Sequence, residues 1–117
     1  MYNSYLIYAK RTPIGKIGGS LAVVRPDDLM ANLLIDFKDQ CTFDLTEIDD
    51  VIVGCANQAG EDNRNIARMA TVLAGYPFEV PAMTINRLCA SSLDGIIDAT
   101  ARIQAGFGDC YLVGGVE

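Results

Sequence analysis

The sequence predicts an α/β layered fold on a mostly parallel sheet, and three observations lead there. Short runs of apolar and β-branched residues alternate with helical spacing in the order strand, helix, strand, helix, strand, helix, strand. The runs are nearly continuous in apolar character, as in strands covered on both faces. Half of the 117 residues are apolar, enough for one core and too few for two full domains.

The first run, Ser4–Ala9, is rich in aromatic and aliphatic residues and stops at the turn formers Arg11-Thr12-Pro13-Ile14-Gly15, so it is expected as a strand. Pro26 followed by Asp27 and Asp28 marks a helix start, with acids at the positive end of the dipole. Leu29, Leu33 and Phe37 continue its apolar stripe to about Gln40. Asp44–Asp50 is expected as a capped turn and Val51–Cys55 as a second strand. After the polar loop 57–65, the residues Ile66, Met69, Ala70 and Leu73 give a helix that Gly75 closes, with Pro77 beyond.

A third strand covers Ala82–Ile85. Leu93, Ile96, Ile97, Thr100 and Ile103 then share one helical face, ended by Gly106, and Tyr111–Val113 before Gly114-Gly115 is the fourth strand. Right-handed crossovers would join these strands in parallel. The chain stops at Glu117 with no element to cover the last strand, which reads as a truncation.

Nine Lys and Arg against 15 Asp and Glu give a net charge of −6, which argues against a surface for phosphate backbones; no nucleic-acid partner is expected. Neither a secretory leader nor an apolar run of membrane-spanning length is visible, so a cytoplasmic chain without a membrane partner is expected. Gly15, Gly18 and Gly19 lack the spacing of a dinucleotide fingerprint, and no P-loop is present.

The four cysteines, Cys41, Cys55, Cys89 and Cys110, are too dispersed for a CxxC pair, and there is no histidine to complete a mixed metal site. Free thiols and no bound metal or cofactor are expected. The missing histidine also removes the commonest activator of a nucleophile, so catalysis would need groups from outside these residues.

Cys89 falls where the third strand passes into the third helix. Unpaired backbone N–H groups and the helix dipole there favour an anion on sulfur, and the Cys89 backbone N–H could also receive an oxyanion. Leu93, Ile96 and Ile97 lie four, seven and eight residues further on, so the thiol is expected on the buried side of its helix. From position alone, a small buried hydrophobe is the competing reading of Cys89.

Asn86-Arg87-Leu88-Cys89-Ala90-Ser91-Ser92-Leu93 resembles the active-site segment of thiolases, in which the Cys takes the acyl group. Arg11–Gly15 is similar to the turn after the first strand of that family. Gly106-Phe107-Gly108-Asp109 resembles the end of its Cys-bearing helix, and Gly114-Gly115-Val116-Glu117 its GGxE. These segments run colinearly through the chain. Ser92 stands where many members carry Gly, and its hydroxyl is expected to bond back to the helix backbone. The stretch 54–65 is similar to the branch acting on 3-oxoadipyl-CoA.

The resemblance implies a thiolase-like layered fold, with residues 1–117 forming the N-terminal part of the N-terminal domain and the remainder absent. It implies ping-pong acyl transfer, with Cys89 attacking a 3-oxoacyl-CoA such as 3-oxoadipyl-CoA or acetoacetyl-CoA, and with coenzyme A as substrate. The expected partners are acyl-CoA, CoA and further copies of the chain in a homodimer or tetramer. Asn57, Gln58, Arg64, Arg68, Asn86 and Arg87 are the interface candidates. The His, second Cys and Asn that thiolases also use have no counterpart in this stretch, so it is expected to be inactive alone. A decarboxylating condensing enzyme of the wider superfamily and a non-catalytic binding or scaffold segment remain the alternatives.

Overall fold

The computed structural model describes residues 1–60 and 63–117. The elements are α1 (Pro26–Gln40), a short 3-10 turn (Leu45–Glu47), β1 (Asp50–Gly54), α2 (Ile66–Leu73), β2 (Ala82–Ile85), α3 (Ser91–Ala105) and β3 (Tyr111–Gly115). The three strands form one parallel sheet in the order β2-β1-β3, with Val51 opposite both Ala82 and Leu112. The α/β class and parallel sheet therefore stand as expected.

β1 is central and buried along its whole length, and its alternating side chains serve two layers. Val51 and Val53 join the main core with Leu34 and Phe37 of α1 and Ile66 and Ala70 of α2. Ile52 points the other way, toward α3: a Cβ placed on Gly95 would stand 3.3 Å from Ile52 Cγ2 and 2.9 Å from Val113 Cγ1.

Local chemistry explains the element ends. Pro26 opens α1, and Arg25 clamps the buried Asp27 through Nε and Nη2 at 3.0 and 2.9 Å. The Asp44 carboxylate accepts the Thr46 N–H at 2.9 Å and so caps the 3-10 turn. Asn65 caps α2 by accepting the Arg68 N–H at 3.2 Å and reaches β2 by donating to the Ala82 carbonyl, also at 3.2 Å. α3 ends at Gly106 in the left-handed region, as its sequence predicts.

Two expectations fail. Ser4–Ala9 is not a strand: it pairs with none of the three strands, and Leu6 and Ile7 are 85% and 81% exposed. Its contacts come from Tyr8, which packs edge-on against Phe37 and donates a hydrogen bond to Asp36. An apolar run becomes a strand only where it joins a partner ladder, and this run joins none.

α3 also rests on a different face from the one its periodicity suggests. Ser91, Gly95 and Ala99 are buried, whereas Leu93, Ile96 and Ile97 are 60%, 51% and 57% exposed. Small residues let the helix approach the sheet closely, leaving the larger ones on its outer side. Among the described residues no helix is long and apolar enough to cross a membrane.

Candidate active site

The C-terminal ends of β1 and β3 meet the N-terminal end of α3, and this junction requires two glycines. A Cβ on Gly54 would stand 2.5 Å from the Ser92 nitrogen, and one on Gly115 would stand 1.8 Å from Ser92 Oγ. With no side chain at either position, the first turn of α3 drops against the sheet. A cleft of about 680 Å³ lies there, lined by Cys89, Ala56, Leu88, Ser92, Val116 and Glu117 among others.

The turn carrying Cys89 is closely bonded. Leu88 is held at φ +50°, a conformation costly for a branched side chain. Three hydrogen bonds hold it: the Leu88 N–H donates to Asn86 Oδ1 at 2.8 Å, Ser91 Oγ donates to the Leu88 carbonyl at 2.6 Å, and the Arg87 N–H donates to Ser91 Oγ at 2.8 Å. The Ala90 and Ser91 N–H groups are spent on the Arg87 and Leu88 carbonyls, both at 3.1 Å.

Cys89 is therefore presented, not buried. It is exposed beside the cleft, which corrects the expectation of an inward-facing thiol. Among the described residues the Ser92 hydroxyl has no hydrogen-bond partner. It projects toward Gly115 and narrows the cleft instead of bonding back to its helix.

The other thiols differ in setting. Cys55 is buried, with its Sγ 3.4 Å from the Asn57 carbonyl, and Cys41 and Cys110 are half-buried. Burial, with the Asp49 charge adding to it, pushes the Cys110 thiol up. Among the described residues no cluster of three or more His, Cys, Asp or Glu is placed to hold a metal ion.

The six interface candidates divide by geometry. Asn57 gives its N–H to Glu117, and Gln58 Nε2 donates to the Cys55 carbonyl at 3.2 Å. The exposed Arg64, at φ +66°, gives its N–H to the Gln58 carbonyl at 3.1 Å. Arg68 donates to the Val80 and Phe78 carbonyls at 2.8 and 3.2 Å, fixing the turn before β2. Arg87 pairs with Asp94 at 2.8 Å. Asn86 belongs to the Cys89 turn itself. Glu61 and Asp62 of the same loop lie outside the described residues.

Sequence reasoning singled out Cys89 and missed the supports of its turn. In the sequence Glu117 is only the end of a motif, yet its carboxylate accepts the Ala56 and Asn57 N–H groups at 2.9 and 3.0 Å. The Asn-x-x-Cys-x-Ser spacing is the signal that could have found Asn86 and Ser91, since short polar side chains flanking a turn bond to its backbone.

Residues 4–117 match the family described as thiolase, N-terminal domain. The chain belongs to the thiolase family. Over its whole length it is 52% identical to the beta-ketoadipyl-CoA thiolase of Acinetobacter baylyi. It is 53% identical to the 3-oxoadipyl-CoA/3-oxo-5,6-dehydrosuberyl-CoA thiolase of Escherichia coli K12. It spans 29% of the length of each. The crystal structure of the Bacillus anthracis acetyl-CoA acetyltransferase superposes with a TM-score of 0.81 at 36% identity, covering 92% of this chain and 27% of that one. The parallel sheet and its packed helices are thus a thiolase fold.

Proposed function

We propose that this chain is the N-terminal segment of a thiolase-type acyltransferase whose acyl carrier is Cys89. The observation that carries the reading is an exposed thiol on a three-bond turn, beside a cleft, in a chain of the thiolase family. The Cys89 sulfur attacks the 3-oxo carbonyl of a 3-oxoacyl-CoA, and the bond between C2 and C3 breaks. The electron pair leaves on C2, which takes a proton and departs as acetyl-CoA, while the remaining acyl group stays as a thioester on Cys89. The thiolate of free CoA then attacks that carbonyl, releasing the shortened acyl-CoA and restoring the Cys89 thiol.

With the Ala90 and Ser91 N–H groups spent within the turn, the Cys89 N–H is the backbone donor assigned to the developing oxyanion. The base that deprotonates Cys89 comes from outside these 117 residues, because they hold no histidine, and the segment alone is inactive. The substrate is 3-oxoadipyl-CoA, which the names of the relatives support, or the smaller acetoacetyl-CoA. The assembly is a cytoplasmic homodimer or tetramer, with Asn57, Gln58, Arg64 and Arg87 near the contact between copies.

The test joins residues 1–117 to the part of the Acinetobacter relative that follows its matched segment. CoA-dependent cleavage of 3-oxoadipyl-CoA, lost in Cys89→Ala, and an acyl mass increment on the Cys89 peptide are expected. Turnover by the 117-residue chain alone, or undiminished turnover by Cys89→Ala, defeats the proposal.

A further inference from the structure

We propose that Glu117 and Asn86 are positioning residues that together grip the Ala56 peptide and so fix the wall of the cleft relative to Cys89. The grip closes on both sides of one residue. Glu117, just past β3, accepts the Ala56 N–H at 2.9 Å and the Asn57 N–H at 3.0 Å through its two carboxylate oxygens. Asn86, just past β2, donates through Nδ2 to the Ala56 carbonyl at 3.1 Å.

The other end of the Asn86 amide accepts the N–H of Leu88, the residue before Cys89. Three segments that each leave the same end of the sheet, after β1, β2 and β3, are thereby tied in one line from Glu117 to the Cys89 turn. None of the three is held to the others there by strand pairing alone. Among the described residues, the backbone bonds that join these segments past Gly54 are those of the Cys55 N–H to the Ile85 carbonyl and the Val116 N–H to the Gly54 carbonyl, both short of the Ala56 peptide.

The side-chain chemistry suits the task. A carboxylate is acceptor-only and can take two neighbouring N–H groups at once, whereas an amide can donate at one end and accept at the other. Glu117→Gln keeps length and shape but turns an N–H2 toward a backbone N–H. Asn86→Asp keeps the acceptor for Leu88 and sets an oxygen against the Ala56 carbonyl. The two variants therefore break the grip from opposite sides with little change in volume.

The inference rests on the reading of Cys89 as nucleophile, so its test separates the two. Hydrogen exchange on the 117-residue chain reads the grip without any chemistry: Glu117→Gln should lower protection of the Ala56 and Asn57 amides by about tenfold. The Ile52 and Val53 amides of β1 should keep theirs. In the joined enzyme described above, Glu117→Gln and Asn86→Asp should each lower kcat by about tenfold with KM nearly unchanged, and the double variant should fall little further than the worse single one.

Unchanged kcat in both variants, additive losses, or loss of β1 protection alongside that of Ala56 overturns the proposal. Should the joined wild-type enzyme leave Cys89 unacylated, the nucleophile reading fails, and a positioning role fails with it, even if the amides show the grip intact.

Discussion

Gly54 packs directly against the backbone of Ser92, so closely that a single methyl on Gly54 would stand 2.5 Å from the Ser92 nitrogen. The obstacle is backbone at the start of a helix, which cannot rotate aside. Gly54→Ala is therefore expected to destabilise the chain by about 3 kcal/mol, at the upper end for overpacking. Urea unfolding followed by circular dichroism measures it, and a loss near zero would show that α3 can slide on the sheet.

Asn65 gives three bonds from one side chain: it caps α2 through the Arg68 N–H, holds the Ala82 carbonyl, and accepts the Thr84 hydroxyl at 2.9 Å. Asn65→Ala removes the cap and both ties to β2. A cost of about 2 kcal/mol is expected, at the upper end for a lost N-cap. Thermal unfolding at a fixed scan rate reports it.

Acid should weaken the start of α1. The bidentate bond from Arg25 holds the Asp27 carboxyl below its ordinary value of 3.8, so the folded chain binds that proton less readily than the unfolded one. The resulting stability is present above the ordinary carboxylate range and is lost as pH falls through the folded-state value. Asp27→Asn should cost about 1 kcal/mol at pH 7, because Arg25 is half exposed, and nothing in strong acid. Stability curves of both proteins against pH should converge there.

Asp50 has the opposite sign. Burial raises its pKa against the opposing pull of Arg102 at 3.4 Å, and among the described residues its Oδ1 has no hydrogen-bond partner. Its contribution is most favourable when protonated and is lost as pH rises through the folded-state value. Asp50→Asn should therefore gain about 1 kcal/mol at pH 7 and little in acid, since Arg102 keeps Asp98 at 2.9 Å. A variant less stable than the parent at pH 7 would show that the Arg102 pair outweighs burial.

The four thiols should react in order of exposure. Under native conditions iodoacetamide should modify Cys89 first, Cys41 and Cys110 more slowly, and Cys55 only on unfolding. Peptide mass mapping over time gives the order. Early labelling of Cys55 would mean that the segment between β1 and α2 opens readily.

Much of this architecture is legible in the sequence because it depends on local signals. Pro26, Asp44, Asn65 and Gly106 mark their element ends correctly, and Ala82–Ile85 is found residue for residue. The failures arise where the outcome depends on a distant partner. Tyr5, Leu6 and Ile7 have the composition of a strand, but composition supplies no ladder to join. Hydropathy assigned Leu93 and Ile96 to the buried side of α3 because it weighs size, while close approach to the sheet selected Ser91, Gly95 and Ala99. At the candidate site, the place of Cys89 was legible, whereas the bonds of Glu117 to residues 60 and 61 positions earlier were not.

The strand order β2-β1-β3 has a bearing on how the chain is made. β1 leaves the ribosome as an apolar ribbon whose flanking ladders do not yet exist: Val51 pairs first with Ala82, and Asp50 waits for Tyr111. Between those moments the central strand has one edge paired with β2 and the other still open. Parallel pairings over such spans close slowly, so the interval before Tyr111–Gly115 emerges is when a nascent chain of this sequence is most open to capture by a chaperone.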